Sequence, residues 1–231
     1  MLTFFYRSVF CLMLASFLAF PSKMAYAAMA DNGEAMPLPF RLAFMRGHVE
    51  AGMALYRLDE FKMAAPHLLH PVSETHMSER VGLKDLGFDE ATFVLISAAL
   101  DAGKTAKELS PILIQAEANL AMIAAKAGGS HYEIVQFLLK TITEEYTIAV
   151  SEGTITDIGE YQDAFGFRLV ASDHAQYLSA AAGAWLVEDL ENLGSLWVNG
   201  PLPTDSPTSA KLIRDTVNDI AKKLKAQLLV K

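Results

Sequence analysis

Residues 38–70 read LPFRLAFMRGHVEAGMALYRLDEFKMAAPHLLH, and their periodicity decides the fold class. Pro37 and Pro39 stand where a helix tolerates proline, at its first turn. Apolar residues then recur three and four apart as far as Leu58. Asp59-Glu60 is a turn signal. Phe61 to His70 is a second helical run, which Pro66 can kink and Pro71 stops. Two helices joined by so short a turn pack antiparallel.

The remainder repeats this arrangement. Asp89 can cap a helix over 90–100, with Gly103 just past its end. Ser110-Pro111 reads as an N-cap and first helical residue, opening an Ala-rich helix to about Lys126 that Gly128-Gly129 ends. Ser130 with Glu133 spells a capping box for a helix to Val150, and Ser151-Glu152-Gly153 is the next turn. Asp157 with Glu160 has the same spacing and opens a long helix to about Leu193, broken near Gly183. Asn199 to Pro207 is a loop, and Thr208 to Leu229 an amphipathic closing helix. Strand signals are scarce. The expectation is an all-α fold, an antiparallel bundle of about seven helices built from helical hairpins. It forms one domain over 38–231, behind a flexible tail at 28–37. Residues 73–86 are the least periodic and read as loop with a short helix.

Composition narrows the function. Of 231 residues 52% are apolar and 20% charged, and the net charge is -8, which argues against a nucleic-acid groove or a polybasic membrane surface. Residues 1–27 read as a signal peptide: Arg7, an apolar run from Val9 to Phe20, and Ala25-Tyr26-Ala27 as cleavage site. Their removal takes Arg7, Lys23 and no acid, so the net charge becomes -10. It also takes Cys11, the single cysteine, which excludes disulfides, thiolate ligands and cysteine nucleophiles from the mature chain. The expected compartment is the periplasm, with no membrane insertion after cleavage.

Two hairpins concentrate possible ligands. His48, His67, His70 and His76 fall within the first hairpin and the segment after it. His48 lies eleven residues before Asp59 and His70 eleven after, so an antiparallel pair puts them at one height. His67 is one turn from His70 on the same face, and Glu74 or His76 could close the group. Any one of these histidines alone reads first as structural, such as a helix-end hydrogen-bonder. Together they read as a metal or cofactor site. Met45, Met53, Met63 and Met77 share the region. Methionine here is ordinary core filler, and as a ligand would point to copper or haem. The second hairpin carries Glu144, Glu145 and Tyr146 before the turn, and Glu160, Tyr161 and Asp163 after it. Clustered carboxylates repel unless a cation or proton offsets them. Glu145, Tyr146, Glu160 and Asp163 therefore read as a second metal site of hard oxygen donors, or as an exposed acidic face.

The stretch EYTIAVSEGTITDIGEYQDAFGF, residues 145–167, resembles a pattern in the periplasmic N-terminal region of bacterial high-affinity iron permeases. There an acidic-Tyr pair, an Ala-Val, a Gly and a Glu-Tyr recur at similar spacing. The resemblance implies a role in iron supply or sensing outside the inner membrane, and draws attention to Glu145, Tyr146, Glu160 and Tyr161. The permease's own membrane helices and acidic motif have no counterpart here.

Enzymatic patterns are missing: no Gly-x-Ser-x-Gly, phosphate loop, dinucleotide fingerprint or His-Glu-x-x-His is present. Asp173 and His174 are helical neighbours and do not face each other. The expectation is a non-enzymatic metal-binding protein, iron first, serving uptake, delivery or sensing, with an inner-membrane metal permease as partner. The rivals are a helical adaptor that binds an envelope protein or small organic ligand without metal, and haem or copper binding through His and Met.

Overall fold

The structure is a computed structural model that describes residues 36–178 and 180–228. The expected signal peptide and most of the 28–37 tail lie outside these residues. The tail's end does not: Met36 is buried, and its carbonyl accepts from Arg41 Nε at 2.8 Å.

Nine α-helices occur among the described residues: α1 Leu38–Arg57, α2 Phe61–Leu69, α3 Leu83–Leu86, α4 Glu90–Asp101, α5 Ala106–Ala127, α6 His131–Ala149, α7 Ile158–Ala175, α8 Ala180–Gly194 and α9 Ala210–Leu228. Between α2 and α3 the chain runs through two 3-10 segments, His70–Val72 and Glu74–Arg80. One two-residue hairpin, β1 Val150–Ser151 paired with β2 Thr154–Ile155, joins α6 to α7. Its turn needs positive φ at both central residues, and Glu152 (50°) and Gly153 (77°) supply them. The fold is all-α, as expected.

Three boundaries differ from the sequence reading. Helix α5 starts at Ala106, not Pro111, because Thr105 and Glu108 make a reciprocal capping box there. Pro111 lies inside the helix. The long run to 193 breaks at 176–178, ahead of Gly183, where Tyr177 and Leu178 turn on carbonyls of His174 and Ala175. The extra break and α3 raise the helix count above seven. Pro71 does not stop the chain's helical path at once; residues 70–72 tighten into a 3-10 turn.

Helices α6, α7, α8 and α9 pack in a closed circuit around one apolar cluster: Leu138, Ile142, Val170, Leu186, Leu190, Val217 and Ile220 are among its members. A second cluster joins α2, α4 and α5 through Leu68, Phe93, Ile96, Leu113 and Ile123. Helix α1 belongs to both. Its Ala43 and Phe44 enter the first cluster, and Leu42, Met45, Val49 and Met53 the second. It lies against α7 on one side and α2 on the other. Glycines allow the close approach. A Cβ on Gly166 would sit 2.1 Å from Gly47 O, and one on Gly52 would sit 2.7 Å from Leu68 Cγ. No helix among the described residues is long and apolar enough to cross a membrane.

Candidate metal centre

The α1–α7 contact brings the two hairpins' polar residues together. His48 follows Gly47 on α1, and Asp163 is one turn before Gly166 on α7. Asp163 Oδ1 accepts from His48 Nδ1 at 2.7 Å and from His67 Nδ1 at 2.8 Å. All three side chains are buried. His67 Nε2 lies 2.9 Å from Gln162 Oε1, and Gln162 Nε2 donates to Met63 Sδ at 3.2 Å. Phe44 and Phe167 stack at 5.1 Å and meet the His48 ring edge-on, at 4.8 and 5.2 Å.

The other two histidines of the hairpin region attach to this group through their rings. His48 stacks on His70 at 3.9 Å between centroids, and His70 on His76 at 3.6 Å. Glu79 spans the outer pair: its Oε2 accepts from His70 Nε2 at 2.8 Å and its Oε1 from His76 Nδ1 at 3.0 Å. Two sets of three ligand atoms result, His48–His67–Asp163 and His70–His76–Glu79, each with its atoms within 4.8 Å of one another. Glu79 was not among the expected ligands; its signal in the sequence is the His76-x-x-Glu79 spacing. Glu74 lies on the same 3-10 segment, and its side chain falls outside the described part.

The expected second site divides. Asp163 leaves it for the histidines. Tyr146 is buried, but its hydroxyl donates to Thr208 O at 2.8 Å and its ring meets Trp197 edge-on, so it ties α6 to the segment before α9. Tyr161 packs in the same apolar cluster. Glu145 and Glu160 are buried as a pair. Neither oxygen of Glu145 has a hydrogen-bond partner within the ordinary distance, nor does Glu160 Oε2 or His48 Nε2. Asp157 does cap α7 through Glu160 N, yet the Glu160 side chain turns inward instead of closing the box. Met45 and Met53 fill the second apolar cluster, and Met77 is exposed. His131 and His174 form a separate pair, Nδ1 to Nδ1 at 2.8 Å, and Asp173 turns away to Arg46 at 2.7 Å.

Protonation follows from burial and neighbours. Burial pushes Glu145 up to about 11, with the Glu160 carboxylate adding to the rise, so the pair holds a proton at neutral pH. Burial drags His70 down to about 3 and His174 to about 4, keeping both imidazoles neutral. Burial opposes a charge on His67 too, but the Asp163 carboxylate beside it overrides this and raises its pKa. Burial would lift Asp163 and Glu79; the histidines against each hold Asp163 well below the carboxylate range and Glu79 at about 2.

These shifts make the stability of the metal-free protein depend on pH in two opposing senses. The depressed His70 and His174 contribute stability present above their unfolded value of 6.5 and lost as pH falls toward 3 or 4. The raised Glu145 contributes stability present below 4.5 and lost as pH climbs toward 11, and raised His67 acts in the same sense above 6.5. The raised Glu160 and Glu50 act in the same sense as Glu145, and between pH 6.5 and 9 these losses run unopposed. Glu145→Gln removes a one-proton slope of about 1.4 kcal/mol per pH unit. Melting temperatures from pH 4 to 9 should therefore show a shallower alkaline decline in that variant, and equal slopes would contradict the protonated pair.

Chemically, the arrangement offers two imidazoles and a carboxylate at the centre, the donor set that suits Fe(II) and also Zn(II). Uncoordinated oxygens of Glu145 and Glu160 lie within electrostatic reach of His48, His67 and Asp163. The proton held by the Glu145–Glu160 pair offsets the cost of burying these carboxyls, and an arriving cation would offset it in the proton's place, so the residues present fit a bound cation. Residues 128–230 match the family model of the iron permease-associated 4-helix bundle domain. The match takes in α6–α9 and contains the stretch 145–167 that resembles iron permeases. It associates residues 128–230 with iron permeases, and so with an iron uptake system. The match leaves α1 and α2 outside: the matched bundle supplies Glu145, Glu160 and Asp163, and the preceding helices supply every histidine of the centre. No curated protein and no solved structure gives a significant match to the chain.

Proposed function

We propose that this chain is an exported, periplasmic iron-binding component of an iron uptake system, which carries its ion at His48, His67 and Asp163 and delivers it to an inner-membrane permease. Iron is the cargo here. The observation that carries this reading is the meeting of two imidazoles and one carboxylate from three different helices at hydrogen-bond distance, next to the buried Glu145–Glu160 pair. The association of residues 128–230 with iron permeases supports iron as the ion and the permease as partner. Arg7, the apolar run behind it and the cleavage motif of residues 1–27 support export.

Binding must displace protons. His67 has to give up its proton to become a ligand, and the Glu145–Glu160 pair can release one as positive charge arrives. Uptake should thus strengthen as pH rises from 6 to 8. The direct test adds Fe(II) under anaerobic conditions to metal-free protein. At a hundredfold excess over Kd, binding stabilises by ~2.7 kcal/mol, a rise of roughly 5–10 °C in melting temperature for a chain of this size. His48→Gln and His67→Gln should each take away most of the rise and the tightest-bound equivalent of Fe(II). An unchanged melting temperature in the unaltered protein with Fe(II), Zn(II) and Cu(II) alike would leave the adaptor reading in its place.

A further inference from the structure

We propose that His70, His76 and Glu79 form a second site for a divalent transition-metal ion, on the solvent side of the buried His48–His67–Asp163 set and feeding it. The inference rests on the metal-binding reading above and adds to it an entry port and a second equivalent of metal.

The second set is built, not incidental. Its carboxylate meets two imidazoles with one oxygen each, and all three ligand atoms lie within 4.8 Å. A cation with bonds of about 2.1 Å holds its ligands about 3.4 Å apart, so small side-chain shifts suffice. The segment that carries His76 and Glu79 is short and irregular, yet it is pinned from both sides. Arg41 Nη1 donates to the carbonyls of Ser78, Glu79 and Val81 at 3.2, 3.0 and 2.8 Å. Arg80 Nη1 donates to those of Pro71 and Ser73 at 3.2 and 2.6 Å. Two guanidinium groups thus fix the backbone on either side of Glu79, the support a ligand set needs to keep its geometry.

Position gives the set its role. The side chain of His76 is 22% exposed, whereas those of His70, Glu79 and His48 are 6%, 6% and 3% exposed. Exposure therefore falls along the stack from His76 through His70 to His48, with rings 3.6 and 3.9 Å apart. The inner set is enclosed by Phe44 and Phe167 and has no comparably exposed histidine. An ion that reaches it through the outer set exchanges one imidazole for the next at each step and is never bare of nitrogen donors. Two nitrogens and one carboxylate favour Fe(II), Co(II) or Zn(II) over Ca(II) or Mg(II), which take oxygen.

Co(II) is the probe, because its binding can be counted by equilibrium dialysis and followed by its visible absorption. The full mature chain should bind two Co(II). His76→Gln, at a partly exposed position, and Glu79→Gln should each bind one, and the remaining ion should load at least tenfold more slowly in stopped-flow mixing. Circular dichroism checks folding, and should Glu79→Gln fail to fold, His76→Gln carries the test. One Co(II) in the unaltered chain, or two in His76→Gln, overturns the second site while leaving the buried one standing. Unchanged loading rate overturns the feeding role. No Co(II) in the unaltered chain removes both readings together.

Discussion

Gly166→Ala will lower the melting temperature by up to about 8 °C and weaken metal binding at a site the new methyl group never touches. Glycine to alanine inside a helix ordinarily stabilises by about 1 kcal/mol. Here the added Cβ would sit 2.1 Å from the carbonyl oxygen of Gly47, 2.8 Å from Ala51 N and 3.0 Å from Ala51 Cβ. Two of these three are backbone atoms of α1, which cannot swing aside, so the helices must separate. Overpacking of this kind costs about 1–3 kcal/mol and occasionally more, which outweighs the helical gain. The displacement reaches the centre because His48 directly follows Gly47 and Asp163 is one turn from Gly166. A contact of 2.7 Å between them does not survive a shift of an ångström. Gly159→Ala is the control. It lies on the same helix, and its Cβ would meet only the Asp157 carboxylate, at 3.3 Å. It should leave both melting temperature and metal affinity near their original values. Equal behaviour of the two variants would mean that the α1–α7 approach does not set the site.

That same glycine contact explains what the sequence could and could not reveal. The register of the first hairpin is legible, because helix rise and a tight turn at Asp59 fix which residues share a height. His48 and His70, equidistant from that turn, stack in the structure. Helix periodicity likewise marks α1, α2, α6 and α9 to within a residue or two. The pairing of α1 with α7 is not legible, since nothing in a periodic pattern says which two glycines will meet. For that reason Asp163 reads from sequence as part of a carboxylate site on its own hairpin, whereas its partners His48 and His67 come from two other helices far earlier in the chain. Tyr146 misleads for a related reason. Its hydroxyl is satisfied by Thr208 O, a partner from a distant loop that leaves the tyrosine a core residue. Glu79 shows in the sequence only as the His76-x-x-Glu79 spacing, and local irregularity strips that spacing of its helical meaning. A 3-10 segment with a non-helical His76 has no amphipathic signature, and Arg41, which holds it, lies on another element. At Ser110-Pro111 a good local cap signal lost to a better one, the reciprocal Thr105–Glu108 box five residues earlier.

Asp163→Asn and Asp163→Ala should part company, and the difference identifies what the carboxylate does. In the metal-free protein Asp163 Oδ1 accepts two imidazole N–H groups in a buried setting. Alanine leaves both donors without an acceptor, at about 1–3 kcal/mol each, so Asp163→Ala should lose roughly 5–15 °C in melting temperature. Asparagine keeps the shape and one carbonyl oxygen in place, and should lose a third of that or less. Metal binding should respond differently. Asparagine brings no negative charge and is a poor ligand for Fe(II), and loss even of an outer support costs ~10–100-fold in affinity. Loss of the anionic ligand itself should therefore weaken Fe(II) binding by roughly 100-fold or more in both variants. The imidazole of His67 supplies a readout independent of metal. Burial opposes its charge, and Asp163, with smaller help from Gln162 and Glu160, overrides that effect, so in either variant its titration, followed by NMR, should move down. A purely structural Asp163 would give an Asp163→Asn protein of nearly native melting temperature and unaltered Fe(II) affinity, and that result would remove the inner set as the place where the ion sits.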